Sequence, residues 1–403
     1  MGVGDATAST TAAVLLSILQ DSLGRVTTIL FAARFGTSLE PECKMYRLLA
    51  DIFNDTAMVL ECLSPAFPKP IRVSILATSS ALKALCGVAA GSSKASLSAH
   101  FARWGNLGEL NAKDSSQETV ISLLGMLAGS LVVSWITSPE ATWATLMILL
   151  SNHLAMNYRA VRAVSMRTLN RQRANIVFGR LVSTGKILTP KEVSQQERVF
   201  DYDGLVRDVS DKQLGHCEIG VSTRDMLRMI GGTSVLASGS LLVKNDVLKR
   251  LLELYQGQPY ILCLDRTTKR IYIALKKDCT ALNQLRAWYT AFCALHMLSQ
   301  QDVTEGLTVP ARDHGLKATN DEVQPLATRQ DKVDNSFPGK EQLPMRDLGS
   351  KATNHEVRLL TSVQDKVDNT FHQIEQRLRE AGWDLETAAL QTFQTSRIIV
   401  EGS

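Results

Sequence analysis

The chain lacks the sequence motifs of the common catalytic and metal-binding classes. Its seven cysteines are odd in number and include no Cys-x-x-Cys pair, which predicts free thiols rather than a disulfide framework or a zinc site. There is no nucleophile elbow, P-loop or dinucleotide fingerprint. A net charge of +4 over 403 residues is too weak to indicate a nucleic-acid partner. We therefore expect no metal, no cofactor and no nucleic acid.

Charge is also missing from a long stretch in the first half of the chain. After Thr119 the only acidic or basic residue before Arg159 is Glu140. Ser138 and Pro139 have the pattern of a helix start, which divides residues 120–157 into two apolar arms of about 25 Å each. An arm of this length is slightly short of the hydrocarbon core of a bilayer, about 30 Å. The pattern favours a membrane-embedded helical hairpin over a pair of buried core helices.

The N-terminus has neither the basic region of a secretory signal nor the arginines of a transit peptide. We therefore expect an intracellular membrane protein whose organelle the sequence does not specify.

A polar stretch, residues 100–119, lies directly before the apolar arms and is the first candidate functional surface. Its Ser115 and Glu118 fit a capping box, which predicts that a helix begins there. That cap does not explain the other polar side chains. The candidate functional or interaction residues in this stretch are His100, Arg103, Asn106, Lys113, Asp114, Gln117 and Glu118.

A second candidate surface lies on a predicted helix over residues 44–62. Asp51, Asn54 and Asp55 share one face with Arg47 at helical spacing. Two carboxylates four residues apart could hold a metal ion or act as acid and base. The alternative, an ion-paired stripe in which Arg47 bonds Asp51, is favoured because no histidine or third carboxylate stands at ligand spacing.

Other helix signals appear along the chain. An apolar helix is predicted over 10–35, broken at Gly24, and Ser64 is predicted to cap the helix that follows it. Thr189 to Glu192 fits another capping box.

The region after Tyr158 is basic, with no acidic residue before Lys186. The positive-inside rule would keep this flank on the cytoplasmic, matrix or stromal side of a membrane. Anionic lipid headgroups and plain solvent are equally good partners for it. The residues predicted to lie near lipid are Arg159, Arg162, Arg167, Arg171 and Arg173.

The second half of the chain predicts a small α/β module. Residues 260–264 and 270–275 read as a β-hairpin, and 280–298 as an amphipathic helix. A 34-residue duplication, with Gln330–Asn335 recurring at Gln364–Asn369, predicts a polar, disordered linker. The predicted fold class is mainly α: a membrane-associated helical bundle (10–200), the α/β module (201–302), the duplicated linker (303–370) and a helical tail (371–403).

Four segments together resemble the root UV-B sensitive (RUS) family. They are ARFGTSLEPECKMYRLLADIFND, SPAFPKP, AHFARWGNLGELNAKDSSQET and NYRAVRAVSMRTLNRQR, in that order, with a weaker match in the terminal Gly382–Asp384. The resemblance is strong over residues 24–203. It implies a protein with no established enzymatic activity, members that act in pairs, and a genetic link to vitamin B6 status.

Three functions follow as expectations. The first is a non-enzymatic, membrane-associated accessory or scaffold protein that acts through partners, either a second copy or another RUS family protein. The second is a binding or transport protein for a small metabolite related to vitamin B6. The third is an enzyme of unknown type that uses His100, Asp114, Glu118, Asp51 or Asp55. It is disfavoured, because Lys113 is better placed to pair with Glu109 or Asp114 than to form a Schiff base.

Overall fold

The computed structural model describes residues 10–102, 105–201, 204–230, 233–235, 241–243, 246–304, 354–392 and 397–398. Within them the helices are α1 Thr10–Phe35, α2 Cys43–Leu63, α3 Lys69–Phe101, α4 Leu107–Trp135, α5 Pro139–Ala163, α6 Arg171–Thr184, α7 Pro190–Gln196, α8 Thr223–Ile230, α9 Asp246–Leu254, α10 Ala281–Thr304 and α11 Asn354–Glu380. The strands are β1 Leu205–Arg207, β2 Gln213–Ile219, β3 Thr233–Val235, β4 Leu241–Val243, β5 Tyr260–Asp265, β6 Arg270–Lys276 and β7 Arg397–Ile398. The mainly helical fold with a small sheet module agrees with the prediction.

The first three helices form the centre of the N-terminal bundle. The α1 and α3 helices run parallel, since Ser80 donates to the Gln20 carbonyl at 3.0 Å and Phe31 packs near Ala89 further along both helices. The predicted break at Gly24 is wrong, because α1 continues through it. A side chain at Gly24 would meet Ser80 and Ala84 at 3.6 Å, so the glycine permits close helix packing instead.

Among the described residues, three helices are long and apolar enough to cross a membrane: Val14–Ser38, Lys69–Phe101 and Leu107–Trp135. The predicted hairpin is only partly right. Ser138 caps α5 as expected, but α5 is not among the three and packs along α2 instead. The candidate spans in α1 and α3 were not predicted as such.

The predicted start of α4 at Ser115 is wrong. The helix begins at Leu107, so the Ser115–Glu118 pattern lies two turns inside it. The Ser64 cap is also absent, because residues Ser64–Ala66 form a short 3-10 turn before α3. Of the two predicted capping boxes, only the one at Thr189–Glu192 forms. A Ser-x-x-Glu pattern can occur anywhere along a helix, and the pattern alone does not fix where the helix starts.

The C-terminal module is built on one sheet in the order β1-β2-β6-β5, with β7 beside β6. The predicted hairpin is confirmed, since β5 and β6 are antiparallel from Tyr260↔Leu275 to Asp265↔Arg270. The β2 and β6 strands are parallel. Gly215 of β2 is required by packing, because a side chain there would lie 2.3 Å from the Lys269 carbonyl oxygen.

The hydrophobic core of the module extends beyond its predicted limits. It includes Phe178 and Leu181 of α6, which lie before the boundary expected near residue 200. The expected disorder up to residue 370 is also wrong for residues 354–370, which belong to α11. Val363 and Val367 of α11 are buried in the same core, and α11 packs on α9, α10 and β5. The first copy of the duplication lies outside the described residues.

Candidate functional site

The predicted surface in residues 100–119 does not form one site. His100 ends α3, whereas Asn106 precedes α4 and the later residues lie on its first exposed turns. Arg103 lies outside the described residues.

The polar turns of α4 fasten that helix to α3. Lys94 of α3 bonds Asp114 at 2.8 Å and Glu118 at 2.7 Å. Lys113 pairs with Glu109 at 2.5 Å, as the sequence predicted. Gln117 is exposed. Most charged residues of this stretch are therefore used in ion pairs. This favours an ionic attachment of α4 to α3 over a catalytic group.

The residues of the second predicted surface, on α2, lie close together and are more deeply buried than expected. Asp51 and Asp55 are both buried, and Arg47 pairs with Asp51 at 2.8 Å as predicted. His153 of α5 reaches Asp55, with its Nδ1 2.9 Å from Oδ2. Asn54 donates weakly to Asp55 at 3.4 Å. No histidine stands at ligand spacing within α2 itself. Another helix supplies one, since His153 is 98 residues from Asp55 in the chain.

The five predicted lipid-proximal arginines divide into two groups. Arg159, Arg162 and Arg167 are exposed, and Arg162 donates to the Gln195 carbonyl at 3.0 Å. For Arg171 and Arg173 the prediction is wrong, because both are buried. Acidic residues distant in sequence neutralise them: Glu42 lies 3.7 Å from Arg171, and Glu197 lies 3.2 Å from Arg173.

Arg173 is the centre of a buried ionic network that joins the bundle to the module. Its guanidinium donates to the carbonyls of Thr168 at 2.6 Å and Pro41 at 3.2 Å, besides pairing with Glu197. The second oxygen of Glu197 accepts from Lys44 of α2 at 2.6 Å. The network thereby connects the start of α2, the start of α6 and the end of α7.

Burial dominates the protonation equilibria at this junction. It raises the pKa of Glu42, and the attraction of Arg171 and Arg173 only partly opposes that rise. Burial likewise lowers the pKa of Arg171, although Glu42 acts in the opposite direction. The junction is therefore electrostatically costly to assemble, which makes it sensitive to the loss of any one charge.

A cleft of about 430 Å³ opens beside this network, where four chain segments meet. That volume lies in the usual range for small-molecule sites, roughly 300–1,000 Å³. Two segments belong to the bundle, and a third is the stretch between α5 and α6. The fourth is the end of α11 and the turn after it. The lining residues are Glu40, Pro41, Ser96, Ala99, His100, Met166, Arg167, Thr168, Arg379, Gly382, Trp383, Asp384, Thr387 and Ala389.

The polar groups of the cleft are held by the backbone around them. His100 is half-buried and bonds the backbone of Ser165, while its own carbonyl accepts from Arg167 at 3.4 Å. The Asp384 amide donates to the Arg167 carbonyl at 2.9 Å. The cleft is thus lined by His100 and Arg167 on one wall, and by Arg379 and Asp384 on the other.

The Gly382-Trp383-Asp384 sequence builds that second wall. Gly382 adopts φ +92° and ends α11, and the Trp383 amide then bonds back to the Leu378 carbonyl. The indole of Trp383 is buried and donates to the Leu188 carbonyl at 2.8 Å. Asp384 accepts from the amides of Glu386 and Thr387, which fixes the turn that follows.

Residue patterns alone missed most of this junction. Glu42 and Glu197 gave no local signal, because their partners are distant in sequence. The family resemblance contained the useful signal, since three of its quoted segments and the terminal Gly-Trp-Asp line the cleft.

Two family models match the chain. Residues 1–185 match a model described as the vitamin B6 photo-protection and homoeostasis domain, and residues 237–339 match the C-terminal model of root UVB sensitive proteins. No solved structure matches.

Curated relatives agree with the family models. RUS family member 1 of Dictyostelium discoideum is 39% identical over 203 residues, covering 49% of this chain and 38% of that protein. Protein root UVB sensitive 3 of Arabidopsis thaliana is 34% identical over 241 residues, covering 58% and 54%. Root UVB sensitive 2, chloroplastic, of the same plant is 25% identical over 281 residues, covering 70% and 59%. The chain spans about half the length of the curated relatives that it matches.

Fold and site together define a helical-bundle protein with long apolar helices and an attached α/β module. The chain belongs to the root UVB sensitive family.

Proposed function

We propose that this chain is a non-enzymatic, membrane-associated accessory protein whose apolar helices lie in a bilayer and which acts through protein partners. The observation that carries the proposal is α4. All 29 residues of this helix are described, and none is buried.

Water is a poor solvent for such a helix. Its large apolar side chains are exposed around its whole circumference, for example Ile121, Leu131 and Trp135. Soluble monomers rarely expose contiguous apolar patches larger than a few hundred Å². The helix is roughly 44 Å long in all, and its uncharged part, residues 119–135, is roughly 25 Å long, slightly short of a hydrocarbon core of about 30 Å. A bilayer supplies the apolar surroundings that the protein does not.

The charged elements support the same arrangement. The ion pairs of α4 are confined to its first turns, next to α3 and the module end of the bundle. In the proposed arrangement a lipid headgroup region or water solvates the polar turns, and the apolar remainder of the helix lies in lipid. The partners that the family resemblance implies are a second copy of the chain or another RUS family protein.

Placing an arginine in the apolar part of α4 tests the membrane location. Leu124→Arg is expected to shift a large share of the full-length chain from salt-washed membranes to the soluble or aggregated fraction. The reason is that an arginine at the centre of a span costs roughly 2.5–3.5 kcal/mol of insertion free energy. Quantitative blotting of fractionated cells measures the shift.

The matched control is Val303→Arg, which changes an equally exposed apolar residue at the end of α10 in the module. It should leave the wild-type distribution unchanged. Wild-type protein that is soluble after a high-salt wash, without detergent, would refute the membrane proposal.

A second candidate function, binding of a small metabolite related to vitamin B6, is favoured by the cleft at the junction. Its size suits such a molecule, and Arg167 with His100 could hold an anionic group. The description of the matching N-terminal family model supports this ligand class.

Adding pyridoxal phosphate to the purified full chain, at about 100 times its dissociation constant, is expected to raise the melting temperature by roughly 3 °C, because such an excess of ligand stabilises the folded state by about 2.7 kcal/mol. Arg167→Ala should abolish most of the rise. Arg162→Ala is the control, because that arginine lies outside the cleft and bonds the Gln195 carbonyl. A panel of B6 vitamers that leaves the wild-type melting temperature unchanged would count against this second function.

A further inference from the structure

A pair of carboxylates lies inside the helical bundle without matching positive charge. Asp51 and Asp55 stand one turn apart on α2, and their exposed fractions are only 7% and 5%. Helices α3 and α5 cover them. Their burial is therefore by protein, and it does not depend on the membrane location proposed above.

Asp51 uses only half of its hydrogen-bonding capacity. Its Oδ1 accepts from the Arg47 guanidinium at 2.8 Å. Its Oδ2 is buried and has no hydrogen-bond partner among the residues that the structure describes. An anionic oxygen left this way is costly, because burial removes the water that would otherwise solvate it.

Asp55 has a histidine, and no permanent cation of its own among the described residues, to neutralise its negative charge. Its Oδ2 lies 2.9 Å from Nδ1 of His153, and its other oxygen has only the Asn54 amide at 3.4 Å. On α3, the Cys86 thiol lies within electrostatic range of both carboxylates and of Arg47. Arg47 is thus the one permanent cation facing two carboxylates in this part of the described structure.

Neighbouring lysines do not neutralise the excess negative charge of Asp51 and Asp55, because each already pairs with another carboxylate. Lys83 lies 2.6 Å from Glu61, and Lys44 lies 2.6 Å from Glu197. With His153 neutral, the cluster of Arg47, Asp51, Asp55 and His153 carries one net negative charge. One added positive charge restores neutrality.

We propose that Asp51 and Asp55 hold one exchangeable cation, a proton or a monovalent metal ion, inside the helical bundle. A proton would bind between Nδ1 of His153 and Oδ2 of Asp55. A monovalent metal ion would take the free Oδ2 of Asp51. Within the described residues no group of three or more His, Cys, Asp or Glu side chains could hold a metal ion, which argues against a multivalent metal site.

Thermal unfolding of the full chain in detergent separates the two cations. Melting temperatures are compared in NaCl, KCl and choline chloride at equal ionic strength, each at pH 6 and pH 8. A metal ion predicts a melting temperature roughly 2–4 °C higher in NaCl or KCl than in choline chloride. A proton predicts no difference between the salts and a fall of similar size from pH 6 to pH 8, because a proton is about a hundred times scarcer at the higher pH.

The variants identify the groups involved. Asp51→Asn removes the unbalanced charge without changing the side chain's shape, and should abolish either response. It should also melt higher than the wild type in choline chloride at pH 8. His153→Gln should abolish a proton response but keep a metal-ion response, and it serves as the second variant if Asp51→Asn does not fold.

Glu61→Gln is the matched control. Glu61 lies on the same helix but has Lys83 as its own cation, so the ion or pH response should survive its loss. The proposal is overturned if the wild type shows neither response, or if Asp51→Asn responds as the wild type does. These outcomes leave the membrane proposal standing, because that proposal is tested by fractionation alone.

Discussion

Glu197→Gln is expected to lower the melting temperature of the detergent-solubilised chain by roughly 4–6 °C. Removing one partner of a buried ion pair costs about 3–5 kcal/mol, and the unfolding entropy of a protein of this size converts each kcal/mol into roughly 1 °C. The loss is large here because Glu197 serves two cations. Lys44 and Arg173 are both buried, and both would remain charged without it.

Asp211→Asn is the control for a pair of similar geometry at the surface. Asp211 lies 2.5 Å from Arg198, but both side chains are more than half exposed. Exposed pairs contribute about 0–1 kcal/mol, so the melting temperature should change by about 1 °C or less. If Glu197→Gln were no more harmful than Asp211→Asn, the buried network would not stabilise the junction as described.

Trp383→Ala is expected to destabilise the chain by about 3–5 kcal/mol, the usual cost of truncating a buried tryptophan. The substitution leaves a cavity at the end of α11 and removes the donor for the Leu188 carbonyl. Trp383→Phe keeps most of the packing and leaves only that carbonyl unpaired, at a cost of about 1–3 kcal/mol. Chemical unfolding in detergent measures both.

Trp135→Ala is the matched control, since this tryptophan at the end of α4 is 87% exposed. It should change the free energy of unfolding by no more than about 0.5 kcal/mol. Equal losses for Trp383→Ala and Trp135→Ala would mean that the Gly-Trp-Asp segment does not anchor the wall of the cleft.

Local sequence patterns predicted the elements whose stabilising contacts are local. The α2 helix, the β5–β6 hairpin and the capping box at Thr189 each depend on neighbours within a few residues. The same patterns were wrong where a distant partner decides the structure. Glu118, predicted to cap a helix, is instead bonded to Lys94 of another helix.

The buried arginines show the same limit. The basic composition after Tyr158 suggested contact with lipid, because the count of charges contains no information about partners. Glu42 lies well over a hundred residues before Arg171 in the chain, and only the folded structure brings the two together. Charge composition alone therefore does not predict whether a basic residue is buried in an ion pair or exposed.

The duplicated segment was misread for a different reason. Its two copies are similar in their polar residues, which suggested one common state. At the positions of Pro325 and Arg329 in the first copy, the second copy has Leu359 and Val363, and both of these are buried in the module core. A comparison of the apolar positions between the copies would have predicted the helix.

The position of α11 has a consequence for the order of events during synthesis. The helix covers α9, α10 and β5, yet the ribosome makes it about a hundred residues after β6, roughly 5–20 s later at about 5–20 residues per second. Until then the apolar side chains that α11 will cover have no partner from their own chain. The nascent protein must pass this interval without aggregating, so a chaperone that binds exposed strands would be needed most between the completion of β6 and the emergence of α11.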